Sequence, residues 1–318
     1  MKFLTKFTVA LGTVCLIGGS AFGQTVNSDS WAATDALGRK VREYKDAGDK
    51  KKDKFVGIFY LTWHMGRNDT TSQVKNITEI VRQHPEAMKD YNHPAWGTSK
   101  PGIFFWDEPL FGYYKTTDPW VLRKHAEMLA DAGIDVVFCD CTNGTLTYSD
   151  SYEALMKTWD QAQKDGVKVP KIAFLLPFGA VPNSLVSLRQ LYNDVYKPGR
   201  YENLWFRWKG KPLIFCPPEG ITPDMAGFFT VRHSWFCSAW DWFGDGHDKC
   251  PWADIYPQKY GWHDRPDKPE MIAVSPATHP IVTNDMKQVG RSYHDGAQPD
   301  KEHWRSGEGL CFREQFER

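Results

Sequence analysis

Apolar residues recur along this chain in two alternating rhythms. Short runs rich in β-branched and aromatic residues are separated by stretches whose apolar positions repeat at helical spacing. The runs lie at Phe55–Trp63, Ile134–Cys141, Lys171–Pro177, Pro212–Cys216, Phe228–Phe236 and Met271–Ser275. Each is apolar on both faces, as expected of strands buried on both sides of a sheet. The helical stretch before the second run is fully punctuated: Asp118 at the cap, Pro119 at the first position and Gly133 past the end. Val121, Leu122, Met128 and Leu129 recur along it at helical spacing. Helices are also expected over Tyr152–Lys164, with Trp159 facing inward, and from Asn183 or Ser184 through Leu185, Leu188, Leu191 and Val195.

Alternating strands and helices imply a mostly parallel sheet with helical crossovers, an α/β fold. Six strands are counted where a closed (β/α)8 barrel needs eight. The last residues, Leu310–Arg318, read as the opening turns of a further amphipathic helix, with Phe312 and Phe316 on one face. The expectation is therefore a TIM-barrel type of fold, truncated after about six strands. A complete six-stranded open sheet is the alternative.

The N-terminus reads differently. Lys2 and Lys6 precede an apolar run, Phe7–Gly18, and Ala21-Phe22-Gly23 supplies small residues at both positions a signal peptidase requires. Residues 1–23 are thus expected to be a signal peptide cleaved before Gln24, with the mature chain secreted or periplasmic. No other segment approaches the roughly 18 uninterrupted apolar residues of a membrane span. Residues 24–54 are expected to form an amphipathic helix over 27–48 and a charged linker over Asp49–Lys54, leaving 55–318 as the incomplete barrel domain.

Composition narrows the partners. Lys+Arg and Asp+Glu balance at 39 each, so there is no electrostatic footprint for nucleic acid or an anionic membrane. With 14 Trp, 13 Tyr and 19 Phe the chain is rich in flat apolar surface, which in an exported protein favours platforms for sugars. Cys139, Cys141 and Cys216 lie in apolar runs and read as buried thiols. Only Cys237 and Cys250 are placed to form a disulfide. No zinc spacing and no nucleotide motif is present, so no cofactor or metal is expected.

In parallel barrels chemistry sits at the carboxyl ends of strands. Those ends carry Trp63 and His64, then Asp140 and Asn143, then Glu219, then His233 and Trp235, then His279. The connection after the first strand adds Trp106, Asp107 and Glu108, and a long loop adds Trp240 and Asp241. Rings stack on the apolar face of a sugar while carboxylates bind its hydroxyls. Glycosidic cleavage commonly needs two carboxyl groups, and strand-end position makes Asp140 and Glu219 the candidates. His64, His233 and His279 with Asp140 would serve a metal-dependent hydrolase instead.

Gly57-Ile58-Phe59-Tyr60-Leu61-Thr62-Trp63, Gly112-Tyr113-Tyr114, Asp118-Pro119, Ala132-Gly133-Ile134-Asp135-Val136, Lys171-Ile172-Ala173-Phe174 and Trp208-Lys209-Gly210-Lys211-Pro212-Leu213-Ile214-Phe215 resemble the endo-mannosidase-like glycoside hydrolases of families 71 and 99. The resemblance covers residues 55–216 well and the remainder loosely. It implies retaining cleavage of glycosidic bonds in a (β/α)8 barrel, without a cofactor, on a polysaccharide or glycan substrate. The family's two working glutamates sit in a Trp/Glu-rich motif on a late strand. No segment here matches that motif, so no catalytic residue carries over. A carbohydrate-binding protein without catalysis is the competing expectation.

Overall fold

The computed structural model describes residues 34, 38, 40, 43–49, 51–63, 74, 76–90, 92–97, 108–179, 181–236, 243–252, 254, 258–274, 281–282 and 288–289. Residues 1–23 and 310–318, where a leader and a terminal helix are expected, lie outside these. Contacts divide the chain into two units, Met1–Asp49 and Lys50–Arg318.

In the first unit a continuous helix over 27–48 does not form. Thr34 and Lys40 instead make an antiparallel bridge around Gly38, whose φ of +75° turns the chain back. Among the described residues of this unit only α1 (Tyr44–Ala47) is helical, and Gly48 closes it with its N–H on the Tyr44 carbonyl. The apolar periodicity across residues 27–48 is interrupted by a glycine that the chain uses as a turn.

The second unit is built on β1 (Gly57–Tyr60), β2 (Val136–Asp140), β3 (Lys171–Leu175), β5 (Lys211–Phe215) and β6 (Thr230–Arg232), paired in parallel in that order. Between β3 and β5 comes β4 (Arg207–Trp208), antiparallel to β5. Spatial order follows chain order, as in a barrel and unlike a doubly wound sheet, whose order reverses at a switch point. Five of the six expected strands join this sheet. The sixth does not: β8 (Pro269–Met271) pairs antiparallel with β7 (Gly261–Trp262) in a separate hairpin. Among the described residues the sheet is open, with β1 at one edge. A further antiparallel pair joins β9 (Ile281–Val282) to β10 (Gln288–Val289).

Side-chain parity assigns the two faces. Val137, Cys139, Ile172, Phe174, Ile214 and Cys216 pack against helices α3 (Pro119–Asp131), α4 (Ser149–Lys164) and α5 (Val181–Leu191). Capping of α3 is as expected: the Asp118 carboxylate accepts from the Trp120 and Val121 N–H groups. Trp159 of α4 is fully buried and donates its indole N–H to the Leu122 carbonyl at 2.8 Å, tying α4 to α3. Helix α5 begins at Val181, two or three residues before the expected start at Asn183 or Ser184, and continues as a π-turn over Tyr192–Tyr196. A shorter α2 (Ile77–Gln83) is capped by Asn76.

The opposite face carries Val136, Ala173, Leu175, Leu213 and Phe215, with Phe138 and Trp252 against them. Phe59 stacks on Trp252 at 5.4 Å and Phe138 meets Phe215 edge-on at 5.1 Å, so aromatic rings fill this face. Much of the aromatic surplus is therefore packing. The thiols of Cys139, Cys141 and Cys216 are buried and unpaired, and burial raises the pKa of all three, that of Cys216 to about 12. Cys250 is also a free thiol rather than half of a disulfide, while Cys237 lies outside the described residues. Among the described residues no helix is long and apolar enough to cross a membrane.

Candidate functional site

At the carboxyl ends of β1 and β2 the chain builds a small polar frame around Asp140, which is 3% exposed. Its Oδ1 accepts from the Thr142 N–H at 2.9 Å and the Thr142 hydroxyl at 2.7 Å. Its Oδ2 accepts from the indole N–H of Trp63 at 2.7 Å. The Thr62 hydroxyl donates to the Asp140 carbonyl at 3.1 Å. A carboxylate offers about four lone-pair sites. Among the described residues three are taken by the chain itself.

Trp63 is half-buried, and its ring lies against Tyr148 at 6.5 Å and 26°. Tyr148, at the start of α4, has φ +54°, an uncommon conformation for a bulky residue. Its hydroxyl accepts from the amide of exposed Asn143 at 3.2 Å. Asp140, Trp63, Tyr148 and Asn143 thus form one connected unit. Sequence reasoning found three of these and missed Tyr148 and Thr142. Thr142 was legible: a Thr two residues after an Asp commonly turns its N–H back to the carboxylate.

Among the described residues, the other expected ones do not gather here. Glu219 and Glu108 are solvent-exposed, Glu219 in the connection from β5 to α6 (Pro223–Phe228). Trp235, 4% exposed, packs against Phe178 at 4.2 Å and Trp252 at 5.1 Å, so it belongs to the ring cluster and offers no platform. His233, 6% exposed, accepts the Trp235 N–H on Nδ1 at 3.1 Å. Burial lowers its pKa, which favours the neutral ring with its proton on Nε2. His64, Trp106, Asp107, Trp240, Asp241 and His279 lie outside the described residues. Among the described residues His233 and Asp140 take part in no group of three potential metal ligands, while His64 and His279 of the same set lie outside them.

A second buried polar cluster went unforeseen. Arg232 of β6 forms a bidentate pair with Glu270 of β8, both contacts at 2.6 Å, with each side chain under 10% exposed. Trp208 donates its indole N–H to the same carboxylate at 2.7 Å. Burial by itself would raise Glu270, but the hydrogen bonds and charge of Arg232 and the bond from Trp208 outweigh it and hold the carboxyl below its usual range. This pair fastens the β7–β8 hairpin to the sheet. No sequence pattern relates positions 38 residues apart, so it was not legible beforehand. On the helix face, the Tyr60 hydroxyl meets Nδ1 of His125 at 2.8 Å, and burial raises the tyrosine and lowers the histidine.

No protein-family model matches the chain, and no curated protein matches it. Solved structures do. One is the GH99 endo-alpha-mannosidase from Bacteroides thetaiotaomicron in complex with BIS-TRIS-propane, at 20% identity and TM-score 0.31, covering 51% of this chain and 41% of that one. Another structure of the same enzyme gives 19% identity and TM-score 0.30, covering 52% and 45%. The chain thus spans less than half the length of these structures. Both belong to family 99, and neither supports the family 71 part of the sequence resemblance. Likeness at this level carries neither fold nor activity across, and the site stands on its own geometry.

Proposed function

We propose that this chain is an exported protein of a (β/α)8-barrel type that holds a glycan chain at the carboxyl ends of β1 and β2, as a glycoside hydrolase or a part of one. The observation that carries this reading is the fixed ring of Trp63, anchored through its N–H to Asp140 and backed by Tyr148. A ring held on its edge and one face presents the other as a rigid apolar platform, which suits a sugar. The Asp140 carboxylate and the exposed amide of Asn143 lie on the same unit and supply hydroxyl contacts. The sequence resemblance over residues 55–216 supports the same substrate class.

A binding role without cleavage is the second reading, favoured by one observation: Asp140 is largely occupied by its own chain, and Glu219 is solvated on a different connection. Reducing-sugar release and direct binding across a panel of α-mannans and other polymers separate the two readings. Trp63→Ala should weaken glycan binding by roughly tenfold or more. It should also lower stability by about 1–3 kcal/mol, because the buried Asp140 Oδ2 loses its indole donor; circular dichroism at the assay temperature checks that the variant is folded. Release of reducing ends establishes the hydrolase; binding without release establishes the second reading. Neither binding nor release across the panel removes both.

A further inference from the structure

The segment Gly246–Cys250 runs between the end of β6 and the β7–β8 hairpin, hydrogen-bonded to both. His233 donates its N–H to the Asp248 carbonyl at 2.7 Å, and Cys250 returns one to His233 at 3.0 Å. On the other side Asp248 donates to the Trp262 carbonyl at 2.7 Å, and Trp262 to the Gly246 carbonyl at 3.0 Å. The approach is close: a Cβ on Gly261 would lie 2.0 Å from the Lys249 carbonyl oxygen, and one on Gly246 would lie 2.6 Å from that of Tyr260. This backbone frame sets His247, Asp248 and His263 side by side.

Their donor atoms converge. His263 Nδ1 lies 2.6 Å from Asp248 Oδ1, and His247 Nε2 lies 3.6 Å from Asp248 Oδ2. The two imidazoles are nearly parallel, 13° apart with centroids at 6.3 Å. One ligating atom from each residue lies within 4.8 Å of the others. Ligands about 2.1 Å from a tetrahedral ion stand about 3.4 Å apart, so closure on an ion needs only about an ångström of side-chain movement. Asp248 also faces Arg232 at 3.2 Å, but that guanidinium is already matched by Glu270 and leaves Oδ2 turned toward His247.

We propose that His247, Asp248 and His263 form a binding site for a zinc-type divalent ion. Two imidazoles and one carboxylate are a borderline donor set that selects Zn2+ and its transition-metal neighbours over Mg2+ or Ca2+, which prefer all-oxygen shells. The side chains are between one third and one half exposed, so a fourth position stays open to solvent. The ion clips the start of the 249–262 loop to its end, and so holds the β7–β8 hairpin on the segment Gly246–Cys250. This site is independent of the glycan reading.

The test is calorimetric titration of the chelator-treated full chain with ZnCl2, with MgCl2 as comparison, and thermal melting with and without Zn2+. The expected result is one saturable Zn2+ per chain, no heat with Mg2+, and a higher Tm with Zn2+. His247→Ala and His263→Ala should each lower the affinity by well over tenfold, since removing a ligand costs more than the 10–100-fold typical of its outer partners. His84→Ala, whose ring pairs with Glu86 elsewhere, should leave it unchanged. His263→Gln guards against misfolding by keeping a side chain that can hydrogen-bond Asp248, and the metal-free melt of each variant checks the fold. Absence of saturable Zn2+ binding, or affinity unaltered in His247→Ala and His263→Gln, overturns the site.

Discussion

Asp140 and Trp63 form one device, and neither is interpretable alone. The carboxylate fixes the indole, and the indole uses one of two acceptor sites on Oδ2. Asp140→Ala should lower stability by about 1–3 kcal/mol, because the Thr142 and Trp63 donors lose their partner in a buried setting. Asp140→Asn should keep the Thr142 contacts but set an amide donor against the indole N–H, loosening the platform. Urea denaturation with tryptophan fluorescence measures both: a large loss for Ala, a smaller one for Asn, and an altered native-state emission in each. Position at a strand end was enough to single out Asp140 and Trp63. Their mutual dependence was not legible, because it spans 77 residues of sequence. Trp235 and His233 looked equivalent in sequence, yet burial makes them packing.

Elements read well where the local code was complete. Helix α3 has its Asp118 cap, Pro119 start and Gly133 stop where sequence placed them, since each acts through its own backbone. The run from Met271 misled because a short apolar run does not reveal its partner: Met271 ends β8 of the hairpin, and 272–274 form no strand. The β1–β2 pairing depends on Gly57, where an added Cβ would stand 2.3 Å from the Phe138 ring, itself held by Phe215. Gly57→Ala should therefore cost about 1–3 kcal/mol, as overpacking does. The cost should shrink by about 0.5 kcal/mol or more in a Phe138→Leu background, a coupling that a double-mutant denaturation cycle reads directly.

The hairpin's attachment should depend on pH. Glu270 has a folded pKa below its unfolded value of about 4.5, so its contribution is present above that value and is lost as pH falls through the folded one. Glu270→Gln takes the bidentate counter-charge from buried Arg232 and leaves it Asp248 at 3.2 Å. The cost should therefore fall below about 3–5 kcal/mol, the figure for a fully broken buried pair. Denaturation curves of the two proteins should differ most near neutral pH and converge as acid protonates Glu270.

For the molecule as a whole, the sheet's edge sets its behaviour in solution. Phe55, Val56, Ile58, Phe59 and Leu61 on and beside β1 are each at least 37% exposed. An exposed apolar edge strand invites pairing with another chain. Self-association that rises with concentration is expected in size-exclusion chromatography and light scattering, and Ile58→Lys should reduce it. Overall architecture was legible as parallel α/β because each strand–helix alternation is a local pattern. Whether the sheet closes depends on distant contacts that no local pattern encodes.

β5 is hydrogen-bonded to three neighbours, β3, β4 and β6, and the turn that leads into it is the exposed Lys209-Gly210 tip with both φ angles positive. Severing the backbone at that tip would strand β1–β3 on one fragment and β5–β6 on the other. Each piece would then hold half of a single ladder, so the two should recognise each other. The hairpin tip is thus a natural seam for making this molecule as two complementing halves.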